Sequence, residues 1–219
     1  AYTLDYDLPN TKGYAETCAA IALAFFAQRM LLSVADSVYA DTVERIIYNG
    51  MLSGVSLDGK AFFYENPLEI QPVLNNRNVA TTLTERNAVT QRKEVFGCSC
   101  CPPNVIRFIG AVNEYIYSYE KDTLFINQFI SSTMEYESIK AEMETDFPYS
   151  GQITMKISGA EKIAFRKPYW CKNLKITLNG GICDYSIEKG YIYINLQKGQ
   201  NNLIFELDMT VRLVHSNPR

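Results

Sequence analysis

The sequence predicts an α+β chain, helical up to about residue 120 and β-rich from residue 121 to 219. Two observations carry this. Apolar residues recur at helical spacing through the first half, and beyond Lys121 the period changes to two. The turn signals between the downstream runs make the β part an antiparallel sandwich.

The elements follow in order. From Tyr14, apolar positions recur at Cys18, Ile21, Ala22, Phe25, Phe26, the stem of Arg29 and Leu32, close to one helix face. Asp41 opens a second helix carrying Val43, Ile46, Ile47 and Met51, closed by Gly50, Ser53 and Gly54. Leu57-Asp58-Gly59-Lys60 reads as a hairpin turn leading into a strand, Ala61-Phe62-Phe63-Tyr64, which Asn66-Pro67 ends. The polar stretch from about Gln71 to Gln91 reads as loop. Pro102-Pro103 then starts a third helix with Val105, Ile109, Val112 and Ile116 on one side and Lys121-Asp122 at its end. Six strand runs come after it: 124–129, 152–157, 163–166, 174–178, 191–196 and 202–207. Ser158-Gly159, Asn179-Gly180-Gly181 and Lys189-Gly190 separate several of them. Apolar faces such as Ile21, Phe25 and Leu32 find few partners within this sequence, so the helical part reads as a piece of a larger helical domain.

With 47% hydrophobic and 21% charged residues among 219, the composition is that of an ordinary globular chain. Its 21 Lys and Arg against 24 Asp and Glu give a net charge of −3, which argues against nucleic acid or a membrane surface as partner. A small neutral or polar substrate is the expected partner. Apolar runs read as short and charge-interrupted, so neither a membrane span nor a signal peptide is expected, and a cytoplasmic location follows. The six cysteines are even in number, but a chain of this size needs no staples, so reduced thiols are expected. Cys171 and Cys183 read as structural.

Cys98-Ser99-Cys100-Cys101 is the most informative stretch. Clustering thiols gains nothing in packing, so chemistry is the better explanation. Cys100 and Cys101 can reach one ion only from a sharp bend, which Pro102-Pro103 supplies. The start of the following helix adds partial positive charge and free N–H groups that favour thiolate. Glu16-Thr17-Cys18 is the candidate donor of a carboxylate and a further sulfur, provided both side chains sit at the mouth of the first helix. Cys18 also reads as a plain core cysteine. A sulfur-rich site selects zinc over magnesium or calcium.

Tyr14-Ala15-Glu16-Thr17-Cys18-Ala19-Ala20, Val43-Glu44-Arg45 with Tyr48-Asn49-Gly50, Phe63-Tyr64-Glu65-Asn66-Pro67-Leu68 and Cys98-Ser99-Cys100-Cys101-Pro102-Pro103-Asn104 together resemble the β-L-arabinofuranosidases of glycoside hydrolase family 127. Arg166-Lys167-Pro168-Tyr169-Trp170 and Ser216-Asn217-Pro218-Arg219 extend the resemblance into the β part. It implies that residues 1–120 hold the C-terminal helices of an (α/α)6 barrel and residues 121–219 an incomplete β-sandwich. It implies Zn2+ held by Glu16, Cys18, Cys100 and Cys101, with Cys100 also the nucleophile of a retaining hydrolysis that releases terminal β-L-arabinofuranose. Cys98 is then no ligand. Glu44 and Tyr64 match positions that contact the sugar; a solvated helix glutamate and a packed strand tyrosine are their plainer readings. The family's general acid/base falls just before Ala1, so the chain by itself is expected to be inactive, and Asp5 and Asp7 match no such role. A further segment completing the barrel, or a homodimer, is the implied partner. Two other readings stand beside this one: a zinc-stabilised carbohydrate-binding module without catalysis, and a thiol redox protein. Trp170, Tyr191 and Tyr193 could stack on sugars or fill the core, and His215 reads as a surface or interface residue.

Overall fold

A computed structural model of the chain describes residues 15–66, 68–69 and 91–215. The readings at Asp5, Asp7, Tyr14, Pro67, the 71–90 loop and the segment after His215 lie outside these residues. The chain divides into two compact units, Ala1–Met30 with Thr42–Val112, and Leu31–Asp41 with Asn113–Arg219.

The helices differ from expectation in register and extent, and the first two each run across the boundary between the units. Helix α1 spans Thr17–Val34, and its buried face is Ile21, Ala24, Ala27, Gln28 and Leu31. Phe26 and Leu32, expected inside, are 59% and 64% exposed. The reason is compositional: α1 is apolar on every side, so periodicity cannot choose a face, and such a helix belongs where it is covered all round. Its mean hydropathy of 1.6 over 18 residues makes it longer and more apolar than the expectation of short, interrupted runs allowed. Helix α2 spans Ser37–Arg45, opening before Asp41 because the Asp36 carboxylate accepts the Val38 N–H at 3.0 Å as an N-cap. A π-helical turn, Ile46–Met51, continues it, and a 3₁₀ turn, Leu52–Gly54, ends it. At Gly50 an added Cβ would lie 3.0 Å from Ala20 Cβ, so the glycine admits α1 at close range. The Leu57–Lys60 turn forms, with Gly59 at φ 71°, but Val55 and Phe62 pair as an isolated bridge rather than a ladder. Helix α3 spans Cys101–Gly110 and buries Cys101, Val105 and Phe108; Ile109 is 51% exposed. It stops eleven residues short of the expected end, a 3₁₀ turn, Val112–Tyr115, following.

The second unit is a sandwich of two sheets. Its strands are β1 Tyr117–Glu120, β2 Thr123–Ile126, β3 Ser132–Tyr136, β4 Ile139–Thr145, β5 Gln152–Ser158 and β6 Lys162–Arg166. They continue with β7 Leu174–Leu178, β8 Gly181–Ile182, β9 Ser186–Glu188, β10 Tyr191–Asn195 and β11 Asn201–Leu207. One sheet runs β1-β2-β6-β10-β9, the other β3-β4-β5-β11-β7-β8. Pairing is antiparallel except between β2 and β6, which run parallel, so the fold is antiparallel-rich rather than wholly antiparallel. Inward residues alternate with outward ones, as the pleat requires. Leu124, Ile126, Ile163, Phe165, Ile192 and Ile194 meet Met143, Ile153, Met155, Leu203 and Phe205 in one core. Phe165 stacks on Phe205 with centroids 3.7 Å apart.

The outer face of the first sheet is covered within the same unit. Phe125, Ala164 and Tyr191 point away from the sandwich core and pack against Leu31 near the end of α1 and Ala40 of α2. That contact encloses a polar network. Arg166, fully buried, donates to Asp41 Oδ1 and to the Asn127 carbonyl, both at 2.6 Å, and its guanidinium lies 4.5 Å from the Phe129 centroid. The Tyr191 hydroxyl donates to Asn127 Oδ1 at 2.7 Å, and Gln128 donates to the Ala40 carbonyl at 2.8 Å. Tyr191 is therefore a core residue, its phenol pushed up by burial, and it offers no ring to a sugar.

Candidate metal and thiolate site

The carboxylate half of the site comes from the entry into α1. Glu16 pairs with Glu65 as a one-residue antiparallel bridge, Thr17 N–H donates to the Tyr64 carbonyl at 3.2 Å, and Asn66 N–H donates to the Ala15 carbonyl at 2.9 Å. Thr17 Oγ1 adds a bond to the Phe63 carbonyl at 2.9 Å. Glu16 is thus held extended while Cys18 already lies in the first helical turn, and both side chains reach the same point.

The sulfur half sits at the start of α3. Cys100 caps the helix with helical dihedrals, φ −71° and ψ −24°, and Cys101 is its first residue. The expected sharp bend is therefore a helix terminus. The expected free N–H groups are fewer than a helix start normally offers, because Pro102 and Pro103, the next two positions, have none. A donor comes instead from a side chain: Asn104 Nδ2 donates to Cys18 Sγ at 3.1 Å. In the sequence Asn104 closes the Cys98–Asn104 motif with no role of its own. Its signal was positional, since residue 104 follows Cys100 by four and Cys101 by three and shares their helix face.

The four ligand atoms of Glu16, Cys18, Cys100 and Cys101 all lie within 4.8 Å of one another. Cys18 Sγ is 3.2 Å from Cys100 Sγ and 3.6 Å from Cys101 Sγ, and the last two are 4.0 Å apart. Cys100 Sγ lies 3.8 Å from Glu16 Oε1. All six cysteines of the chain are free thiols. Four atoms bound tetrahedrally at about 2.3 Å to sulfur and 2.0 Å to oxygen would be spaced by about 3.5–3.8 Å. The donor set fits such an ion. Burial first, then the adjacent Cys18 and Cys100, push the Cys101 thiol up. Two thiolates about 4 Å apart repel by about 4 kcal/mol at an effective dielectric of 20, so more than one thiolate here calls for a cation.

Residues 1–114 match the family model for the β-L-arabinofuranosidase GH127 catalytic domain, and residues 123–209 match the GH127 middle domain. The chain belongs to glycoside hydrolase family 127. A non-reducing end β-L-arabinofuranosidase of Bifidobacterium longum subsp. longum is 36% identical over 233 residues, an alignment covering 100% of this chain and 34% of that protein. The crystal structure of a GH127 β-L-arabinofuranosidase from Geobacillus stearothermophilus T6 superposes with a TM-score of 0.88 at 38% identity, covering 99% of this chain and 35% of that one. A second GH127 β-arabinofuranosidase structure gives 0.84 at 32% identity, with 99% and 36% covered. The chain spans about a third of the length of these family 127 relatives.

The remaining candidates fall as follows. Glu44, on α2, is 7% exposed, so it is not a solvated helix glutamate. Tyr64 is half-buried, with its carbonyl on Thr17 and its ring 6.1 Å from Phe96. Neither belongs to the cluster of ligand atoms. Cys98 is exposed and outside that cluster. Cys171 lies in the sandwich core, its thiol pushed up by burial and donating to the Asn173 carbonyl at 3.0 Å. Trp170 packs against that core, stacked near Phe147, while Tyr193 meets Phe125 edge-on. His215 is exposed.

Proposed function

We propose that the protein containing this chain is a zinc-dependent retaining glycoside hydrolase that releases terminal β-L-arabinofuranose, with Cys100 as its nucleophile. The convergence of Glu16, Cys18, Cys100 and Cys101 on one point is the observation that carries this reading. Residues 1–120 would form part of an (α/α)6 barrel and residues 121–219 a β-sandwich, the remainder of the barrel coming from another segment or a partner copy. The free thiols agree with a reducing compartment such as the cytoplasm.

Zinc held by Glu16, Cys18, Cys100 and Cys101 would supply a charge that keeps the sulfurs deprotonated at neutral pH. The chain's own residues carry the rest. Cys100, half-buried at the tip of α3, is the most accessible sulfur of α3 in the set, whereas Cys101 is enclosed. Its Sγ attacks the anomeric carbon, forming an S–C bond as the bond to the leaving oxygen breaks. That oxygen takes a proton from a general acid outside the described residues. Water then attacks the same carbon, loses a proton to the conjugate base, and returns the electron pair to Cys100 Sγ, so two inversions give retention. Glu44 and Tyr64 are proposed to bind the sugar hydroxyls. Sulfur thus takes the part that a second carboxylate plays in most retaining glycosidases.

The test is hydrolysis of an aryl β-L-arabinofuranoside by the full protein and by its Cys100→Ser variant. Turnover should disappear in the variant, and rapid-quench mass spectrometry of the parent should find one pentosyl group on the Cys100 peptide. Wild-type turnover in Cys100→Ser would overturn the assignment.

A further inference from the structure

We propose that Asn104 is a positioning residue that sets how strongly the Cys18 sulfur donates to the metal, an inference that rests on the metal reading above. Three thiolates and a carboxylate carry four negative charges against the two positive charges of one divalent ion. The excess has to be met by hydrogen-bond donors around the sulfurs. A helix start beside a thiolate ordinarily meets it with backbone N–H groups, but two of the first three positions of α3 are Pro102 and Pro103. The Asn104 backbone N–H is directed at the Cys100 carbonyl, 3.4 Å away. Its side-chain amide is what reaches sulfur, at 3.1 Å from Cys18 Sγ.

The direction of that contact matters. Cys100, Cys101 and Asn104 come from α3, while Cys18 comes from α1, so the Asn104 amide bonds across to a sulfur of the other segment. It fixes the Cys18 side chain relative to the two sulfurs of α3. A neutral amide does so without becoming a ligand and without adding a charge that would compete with the metal. Donation of a hydrogen bond lowers the energy of the sulfur lone pairs, so its loss should leave sulfur a stronger donor in a less well-oriented site.

The experiment uses the full protein, stripped of metal and refilled with Co2+ or Zn2+, in three forms: unsubstituted, Asn104→Ala and Asn104→Leu. Both variants should bind Zn2+ about 10- to 100-fold more weakly in chelator competition, the range for loss of an outer hydrogen-bonding partner. Their sulfur-to-cobalt charge-transfer absorption should move to longer wavelength. Leu keeps nearly the shape of Asn without a donor and without a charge, so a role in packing alone would leave Asn104→Leu at wild-type affinity with an unmoved band, and that result overturns the proposal. Affinities within about twofold of wild type in both variants, or weaker binding with the absorption unmoved, overturn it equally. Failure of the unsubstituted protein to bind either ion through sulfur would instead overturn the metal reading, and the role of Asn104 with it.

Discussion

Cys98, Cys100 and Cys101 lie within four residues of one another and meet three different environments: exposed, half-buried and buried. The difference follows from where α3 starts. Cys98 precedes the helix, Cys100 caps it and Cys101 is its first residue, turned inward beside Val105 and Phe108. Replacing Cys101 by Ser should therefore remove a sulfur ligand and cut zinc affinity by more than the roughly 10- to 100-fold expected of an outer partner. Cys98→Ser should leave metal content unchanged. Metal analysis after dialysis against a competing chelator measures both, and equal losses in the two variants would remove the distinction between ligand and bystander. That these thiols mark a chemical site was readable in the sequence, because their clustering has no cheaper explanation than chemistry; the split into ligands and bystander came from the family resemblance. For Asn104 only its place on the same helix face as Cys100 and Cys101 was readable; its bond to Cys18 Sγ joins segments far apart in sequence, which no local pattern records.

At the scale of elements, legibility tracked how strongly a segment's own residues choose its conformation. Lys189-Gly190 and Asn179-Gly180-Gly181 were readable as turn signals, and Lys189, Gly190, Asn179 and Gly180 take positive φ in two-residue turns that close β9–β10 and β7–β8. Strands β3 and β4 were not readable: in Ile139–Thr145 the inward residues Ile139, Ala141 and Met143 alternate with Lys140, Glu142 and Glu144, residue types that also favour helix. The parallel pairing of β2 with β6 depends on neighbours far apart in sequence, which no local pattern records. The two glycine turns give a stability prediction. At Gly190, φ is +75° and an added Cβ would lie 1.8 Å from Ser37 Oγ, where Ser37 N–H bonds the Lys189 carbonyl at 2.9 Å. Gly180 has a similar φ of +81° with nothing within 4 Å. Gly180→Ala should cost only backbone strain, about 1 kcal/mol, whereas Gly190→Ala adds overpacking for about 2–4 kcal/mol in total. Denaturant midpoints of the two variants compare them directly, and equal midpoints would show that the Ser37 contact yields without cost.

Over the whole molecule, each unit has its own polar anchor, and the two anchors should fail separately. The first unit gathers Glu16, Cys18, Cys100 and Cys101; the second buries Asp41 against Arg166 at 2.6 Å with side-chain exposures of 7% and 0%. A buried ion pair is a poor source of net stability, but breaking one by removing a single partner costs about 3–5 kcal/mol, because the remaining charge stays out of water. Arg166→Met should therefore destabilise the second unit by that amount, and adding Asp41→Leu should recover part of it by removing the stranded carboxylate. Metal removal acts elsewhere: a ligand bound only by the folded state stabilises it by mass action, so a strong chelator should loosen the segments that carry the ligands. Hydrogen exchange read by mass spectrometry separates the two effects. Chelation should raise exchange at residues 15–18 and 100–110 and leave β5, β6 and β11 protected, while Arg166→Met should raise exchange across 31–41 and β10 with zinc still bound. If chelation instead exposed the sandwich strands as fully as the site, the two units would be one cooperative body and the metal would hold the whole of it.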